Sequence, residues 1–259
     1  MSRDYIYHHA AMNTEFTFRL VAAEKDTAQK AAFAAITLLD QLESKLSRYI
    51  SGSDISQINH MQTGESLYIS DLCYECLRVA LAIGLESRGL FDITLGRQIE
   101  HLKSSSQDDQ PELMGQLSLD PDKPAIHCLE AGREVDLGGI GKGFALDCIR
   151  KELEDWEIES GLLSSGASTH LAFGHKAWHI CYDSGQAPYS LKNAAMSVSG
   201  IDIQGDHIVS PRPDQALLRQ HLWVIHPNAA AADAWSTACF LMTDEELASC
   251  GEPIKILRG

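Results

Sequence analysis

One stretch, residues 135–147 (VDLGGIGKGFALD), constrains the fold of this chain more than any other. It has the pattern of a strand that passes through a glycine-rich turn into a helix. Glycines allow a tight turn and a close approach of the backbone to a ligand. The free N–H groups at the start of a helix, the positive end of its dipole and Lys142 all favour an anion. We therefore predict a phosphate-binding junction here.

The spacing of the glycines excludes two common nucleotide motifs. A P-loop needs a glycine five positions before Gly141 and a serine or threonine after Lys142. The chain has Asp136 and Gly143 at those positions, and no three of its glycines fit G-x-G-x-x-G. The stretch is therefore a different kind of anion loop, and the alternative is that its glycines serve only the local turn.

Periodicity elsewhere predicts a mixture of strands and helices. Alternation at Phe16, Phe18 and Leu20 predicts a strand, and helical spacing predicts helices over 27–47, with Asp26 as its cap, and over 71–87. A hairpin is predicted from strands 125–129 and 134–137 around the turn 130–133. Further predictions are a short helix at 97–103, a surface loop at 104–112, strands near 161–164, 170–173, 178–182, 195–198 and 222–225, and a last helix at 230–241. Because strands and helices do not alternate regularly, the fold class is predicted to be α+β.

Length, composition and net charge indicate the number of domains and the kind of partner. The chain has 259 residues, of which 44% are hydrophobic and 22% charged, so one compact unit or two interlocked halves spanning 1–259 is expected. A formal net charge of −15, from 21 basic and 36 acidic residues, argues against a nucleic-acid partner. No apolar run reaches the roughly 18 residues of a membrane span, and the start MSRDYIYHH lacks the core of a signal peptide. A cytoplasmic location is the expectation.

The seven cysteines are an odd, scattered set, which predicts reduced and mostly buried thiols. Cys73 and Cys76 form C-x-x-C, but within a helical apolar pattern. We interpret the pair as packing residues, because neither a second pair for zinc nor a strand leading into a redox motif is present.

Several blocks, in chain order, resemble the ApbE family of FAD:protein FMN transferases. The central stretch VDLGGIGKGFALD is similar to the family's signature. The others are Met12-Asn13-Thr14 (M-G-T in the family), LSRY at 46–49 with DISQIN at 54–59, GLFDITLG at 89–96 (G-x-F-D-I-T-x-G), SG at 199–200, HIVSP at 207–211 (H-I-I-D-P) and ADAWST at 232–237 (A-D-A-x-x-T). The resemblance spans residues 10 to 245 approximately. It implies an ApbE-like fold, FAD as substrate, and transfer of FMN to a Thr or Ser hydroxyl of an acceptor protein with release of AMP.

A metal site is predicted on the last helix. Asp233 and Thr237 are four residues apart and so lie on the same helix face. A carboxylate and a hydroxyl suit Mg²⁺, which fills its other positions with water and substrate phosphate. The resemblance implies the backbone carbonyl of Gly139 as a third ligand. The alternative is that Asp233 is a helix-start residue and Thr237 a core residue that bonds back to a carbonyl.

The resemblance also implies the flavin contacts and a base. Tyr49, Phe91 and Met12 are suited to flank an aromatic ring, although core packing is the alternative for Phe91 and Met12. Asp92 stands in the strand-like run FDIT, where an acid is disfavoured, so a bonded role is expected for it. His207 is the candidate general base, on its motif position alone. The implied FAD-binding set is Met12, Tyr49, Leu90, Phe91, Asp92, Asp136, Lys142 and Val209.

The chain also departs from the family pattern. Where the family has D-P-x-T-G, residues 210–214 read Ser-Pro-Arg-Pro-Asp, which removes a charge, a hydroxyl and a turn glycine. The family's G-G-D is Ser165-Gly166-Ala167 here. Many family members are exported lipoproteins with a Cys after a signal sequence, and this start differs. Two other functions therefore stay open: a Mg²⁺-dependent FAD pyrophosphatase and a non-catalytic FAD-binding protein.

Overall fold

The computed structural model describes residues 2–104, 111–183, 186–200, 208–212 and 219–258. Its main element is a seven-stranded antiparallel sheet with the order β1-β2-β6-β7-β10-β11-β12. Two small sheets, β3-β5-β4 and β8-β9, accompany it. The strands are β1 Arg3–Ala11, β2 Thr14–Ala22, β3 Ser66–Tyr68, β4 Gln116–Leu119, β5 Ala125–Glu130, β6 Ser160–Ser165, β7 Thr169–Gly174, β8 Trp178–Ile180, β9 Tyr189–Leu191, β10 Ala194–Gly200, β11 His221–His226 and β12 Lys255–Arg258.

Helices cover one face of the main sheet and enclose the larger core. The helices are α1 Lys25–Leu46, α2 Asp54–Ile58, α3 Asp71–Glu86, α4 Gly96–Lys103, α5 Gly141–Asp155, α6 Ala229–Leu241 and α7 Asp244–Ala248. Helix α6 packs on β10 and β11, and α5 packs between α6 and α1. The opposite face carries a smaller cluster that includes Trp178, Met196 and Trp223. No helix in the described part of the chain is long and apolar enough to cross a membrane.

The α+β prediction is confirmed, and most predicted elements are present. Phe16, Phe18 and Leu20 of β2 are fully buried, as alternation in a half-buried strand requires. Met12 and Asn13 form the two-residue turn between β1 and β2, with φ of 49° and 58°. Asn tolerates this left-handed conformation, and Met there is unusual.

Three local predictions are wrong. Asp26 lies inside the first turn of α1, paired with Lys30, and Glu24 occupies the N-cap position. Helix α6 is not the last helix, because α7 follows it. The sequence FDIT forms a turn instead of a strand, because the Asp92 carboxylate accepts hydrogen bonds from the N–H and hydroxyl of Thr94.

The predicted hairpin before the glycine loop is also absent. β5 pairs with β3 and β4, whereas residues 134–137 form only one bridge, between Glu134 and Leu95. The Asn59 side-chain amide forms two hydrogen bonds with the backbone of Val135. Its Oδ1 accepts from the N–H at 2.7 Å, and its Nδ2 donates to the carbonyl at 2.9 Å. The N–H of Asp136 donates to the carbonyl of Ile93. An extended segment held by a side chain therefore replaces the expected strand, while α5 begins at Gly141 as predicted.

Candidate active site

A cavity of about 1050 Å³ opens beside the glycine loop, at the upper end of the range for small-molecule sites. The start of α5, the end of α1, the turn between β6 and β7, and the segment 208–209 all line it. Every residue of the predicted flavin set lies on its wall, together with Gly139 and Thr237: Met12, Tyr49, Leu90, Phe91, Asp92, Asp136, Lys142 and Val209. Residues far apart in the chain thus converge on one cavity.

Local hydrogen bonds shape the glycine loop. The Asp136 carboxylate accepts from the N–H of Gly138 at 2.7 Å, and the N–H of Gly141 donates to the carbonyl of Leu137 at 2.7 Å. Lys142 is half-buried, and its Nζ donates to the carbonyl of Gly138 at 3.1 Å. The helix start and this ammonium group therefore border the cavity, as an anion site requires.

Gly143 differs from the other glycines of the loop. A Cβ at this position would stand 2.2 Å from the carbonyl oxygen of Ala229, so the glycine permits α5 to approach the backbone of α6. Its N–H donates to Oδ2 of Asp233 at 3.1 Å. The expectation that this glycine serves approach to a ligand is wrong, because the close approach is between two helices.

Two predicted metal ligands, Gly139 and Thr237, line the cavity, and the third, Asp233, precedes Thr237 by one turn on α6. We call these residues, with Gly143, which binds Asp233, the base of the cavity. Asp233 is 1% exposed. A Cβ built on Gly139 would stand 3.3 Å from Oγ1 of Thr237. Ser197 and Thr169 approach the second Asp233 oxygen, Oδ1, at 3.1 and 3.4 Å.

The chemistry of this donor set fits Mg²⁺. It combines one carboxylate, one hydroxyl and one backbone carbonyl, all hard oxygens, and a cavity in which water and phosphate have room to complete the shell. In the described ranges no group of three or more His, Cys, Asp or Glu side chains is arranged to hold a metal. A metal site at this place therefore needs the Thr237 hydroxyl and the Gly139 carbonyl in addition to the one carboxylate, that of Asp233.

The alternative roles for Asp233 and Thr237 are taken by other residues. Asp147, on α5, caps α6 by accepting from the N–H groups of Ala229 and Ala230 at 3.0 and 2.8 Å. Burial raises the pKa of Asp147, and these two hydrogen bonds oppose that rise. The hydroxyl that bonds back to a carbonyl is Ser236, which donates to the carbonyl of Asp233 at 2.7 Å.

The outer wall of the cavity is exposed and charged. We use that name for Tyr49, Ile50 and Lys103, of which Tyr49 is 66% exposed. The Lys103 ammonium donates to the Tyr49 hydroxyl at 3.0 Å and lies 5.6 Å from the centre of its ring. The same ammonium lies 4.0 Å from Asp136. An aromatic face with an adjacent cation therefore lines the entrance.

Arg48 is a site residue that sequence reasoning missed, although it stands inside the LSRY block. Its guanidinium donates to Glu134 at 2.6 Å, to Asp136 at 3.3 Å and to the carbonyl of Gly96 at 2.8 Å. A Cβ at Gly96 would come 2.6 Å from the guanidinium, so a glycine is needed there. Glu134 and Asp136 are more than 80 residues away from Arg48 in the sequence, so the spacing of residues could not reveal these contacts.

Two predicted polar contacts are already occupied within the protein. Asp92 bonds to Thr94 and lies 3.7 Å from Arg133, and Asp136 bonds to Arg48 and Gly138. Each carboxylate therefore shapes the cavity wall through hydrogen bonds and ion pairs within the protein.

The described part of the altered segment 210–214, residues 210–212, keeps an anchor. The Ser210 hydroxyl accepts from the N–H of Arg212 at 3.1 Å, so it supplies the turn acceptor that an aspartate would supply. The Arg212 guanidinium forms two hydrogen bonds with Glu246 on α7, at 2.7 and 3.1 Å. This pairing lowers the pKa of Glu246 to about 2. His207, Pro213 and Asp214 lie outside the described residues.

The cysteines match the packing interpretation. All seven fall within the described ranges and are free thiols, and Cys73 and Cys76 are fully buried in α3. Burial raises the pKa of both thiols, so both are neutral and unsuited to zinc or redox chemistry at neutral pH.

Comparisons with known proteins identify relatives in sequence and in fold. An FAD:protein FMN transferase of Klebsiella pneumoniae (strain 342) is 22% identical over 91% of this chain and 77% of its own. One of Chlamydia muridarum is 26% identical over 86% and 78%. The crystal structure of the Pseudomonas stutzeri flavinyl transferase ApbE, apo form, has a TM-score of 0.80 at 21% identity, covering 95% of this chain and 87% of that one. The flavin transferase ApbE from Vibrio cholerae has a TM-score of 0.81 at 16% identity, covering 99% and 93%.

The solved structures establish the fold that the resemblance implied. The family model described as "ApbE family" matches residues 12–254, which is nearly the whole chain. The protein therefore belongs to the ApbE family.

Proposed function

We propose that the protein is a Mg²⁺-dependent FAD:protein FMN transferase. It would move the FMN phosphoryl group of FAD to a Thr or Ser hydroxyl of an acceptor protein and release AMP. The observation that carries the proposal is the convergence of all eight predicted flavin contacts on one cavity, with Gly139 and Thr237 also on its wall and Asp233 one helical turn before Thr237. Family membership, and relatives named as FAD:protein FMN transferases, support the same reaction.

Charge neutralisation is the central requirement. The chain has a formal net charge of −15, and FAD carries an anionic pyrophosphate. We assign its binding to the start of α5 and to Lys142, whose Nζ uses one of its three N–H groups on a partner among the described residues. Asp233, Thr237 and the carbonyl of Gly139 would hold Mg²⁺, which when bound neutralises charge on the pyrophosphate and on the leaving AMP.

The outer wall would hold an aromatic part of FAD. The Tyr49 ring is exposed at the cavity entrance, and offset stacking of a flavin or adenine ring on it requires no rearrangement of the core. Arg48 and Asp136 would hold the wall and the glycine loop at a fixed spacing, because their mutual hydrogen bond joins the two.

His207 remains our proposed general base, on its position in the HIVSP block alone. It directly precedes Ile208 and Val209 in the chain, and both of those line the cavity. A base at this place would take the proton from the acceptor hydroxyl as it attacks phosphorus. His207→Ala should slow turnover and leave FAD affinity unchanged, and an unchanged rate would remove His207 from the mechanism.

The test of the function is product analysis. Purified protein is incubated with FAD and Mg²⁺, with and without protein extract of the source cells, and FAD, FMN, AMP and protein-bound flavin are separated. We expect AMP and covalently bound flavin that depend on Mg²⁺ and on extract, no AMP from Asp233→Ala, and unchanged products from the surface control Asp122→Asn. Free FMN with AMP would indicate the pyrophosphatase instead. Intact FAD under every condition would indicate a binding protein.

A further inference from the structure

Three hydroxyl groups form a chain between β10 and α6. The Ser199 hydroxyl lies 2.8 Å from that of Ser236 and 3.2 Å from that of Thr237. Ser236 donates in turn to the carbonyl oxygen of Asp233 at 2.7 Å. Ser199 and Ser236 are buried from solvent, so each hydroxyl must find its partners within the protein.

Counting protons fixes the direction of this chain. Each hydroxyl has one hydrogen to donate and two lone pairs to accept with. Ser236 uses its hydrogen on the carbonyl of Asp233, because a carbonyl can only accept. In the contact between Ser199 and Ser236, Ser199 must therefore donate. Its hydrogen is then used, and Thr237 must be the donor in its own contact with Ser199.

This direction has a consequence for Thr237, which lines the cavity beside Gly139. With its hydrogen turned inward to Ser199, the Thr237 oxygen keeps its lone pairs for the cavity. If the Thr237 hydrogen pointed into the cavity instead, its partial positive charge would face any cation bound there. We infer that Ser199 is a positioning residue that sets the Thr237 hydroxyl for metal binding, an inference that rests on the proposed function.

Strand β10 forms a hydrogen bond with each of the two predicted side-chain ligands, Asp233 and Thr237. Ser197 and Ser199 are two residues apart and so lie on the same face of the strand. Ser197 gives a hydrogen to Oδ1 of Asp233, and Ser199 receives one from Thr237. The carboxylate of Asp233 is thus oriented by a hydrogen-bond donor, Ser197. The hydroxyl of Thr237 is oriented by a hydrogen-bond acceptor, Ser199. Neighbouring groups of this kind typically change metal affinity by 10- to 100-fold.

The test measures cation affinity directly, by titrating the purified protein with Mn²⁺ alone and following the EPR signal of the free ion. Ser199→Ala should weaken Mn²⁺ binding by about tenfold. Ser199→Thr keeps the hydroxyl and should retain most of the affinity. The matched control is Ser165→Ala, which removes another buried hydroxyl, one without a hydrogen-bond partner among the described residues, and should leave Mn²⁺ affinity unchanged.

A double-mutant cycle separates this inference from the proposed function. Thr237→Val should weaken Mn²⁺ binding, and adding Ser199→Ala to it should have no further effect, because Ser199 acts through Thr237. An unchanged affinity in Ser199→Ala, or additive losses in the double variant, would overturn the inference while leaving the metal site in place. An unchanged affinity in Thr237→Val would instead remove the proposed metal site.

Discussion

The base and the outer wall of the cavity are built in opposite ways. At the base, Gly143, Asp233 and Thr237 bond to neighbouring elements and are buried or half-buried. At the outer wall, Tyr49 and Lys103 are exposed, and the Tyr49 hydroxyl bonds only to side chains of α4, Lys103 and Glu100, among the described residues. The base is therefore fixed before any ligand binds, whereas the wall is free to adjust. Substitutions at the base should change folding or metal binding, and substitutions at the wall should change FAD affinity.

The strongest test of a rigid base is Gly143→Ala. The added Cβ would stand 2.2 Å from a backbone oxygen of α6, so the two helices must separate. We expect a loss of about 3 kcal/mol or more in the free energy of unfolding, measured by urea denaturation. The matched control is Gly141→Ala, where the nearest atom lies 3.7 Å away and a gain of about 0.5 to 1 kcal/mol is expected. Equal effects of the two substitutions would show that the base is not rigid.

The contrast between these glycines shows how far sequence reasoning reaches. The resemblance to the ApbE family implied the eight flavin contacts that line the cavity. The residues by themselves predicted only a helix start beside a lysine, and two oxygen-bearing side chains one helical turn apart. Nothing local distinguishes Gly143 from Gly141, since the atom that decides belongs to Ala229 on another helix. Arg48 was missed for the same reason, because its partners Glu134 and Asp136 are far away in the sequence. The hairpin predicted at 134–137 is wrong because the side chain of Asn59, which is distant in the sequence, binds the backbone of that segment.

A second test uses the pH dependence of the free energy of unfolding at β7, the strand whose Thr169 contacts Asp233. His170 follows Thr169 in β7, and burial lowers its pKa to about 4. Because the folded state favours the neutral ring, this stabilisation is complete above pH 6.5 and is lost as the pH falls through 4. We expect the free energy of unfolding to fall by up to about 3 kcal/mol between pH 7 and 4 through this residue. His170→Asn should flatten that part of the pH profile, and an identical slope in both proteins would contradict the assignment.

The anchor of the cavity-lining segment at 208–212 should respond in a different pH window. Arg212 lowers the pKa of Glu246 to about 2, so the stabilisation is present above the ordinary glutamate pKa and is lost as the pH falls from there towards 2. Both side chains are about a third exposed, so the effect is smaller than that of His170. Glu246→Gln should lower the melting temperature at pH 7 and reduce its dependence on pH below about 4.3. A melting temperature equal to that of the unaltered protein at pH 7 would show that the pair contributes nothing.

The smallest effect should come from the outer wall itself. Lys103→Met removes the ammonium beside the Tyr49 ring and keeps a comparable apolar side chain. Because exposed charges contribute about 0.2 to 1 kcal/mol, FAD binding measured by flavin fluorescence should weaken by about two- to fivefold. The free energy of unfolding and the Mn²⁺ affinity should stay unchanged, since no bond at the base involves Lys103 in the described part of the chain. A matched loss of Mn²⁺ affinity would mean that base and wall act as one unit, and that their different construction has no functional consequence.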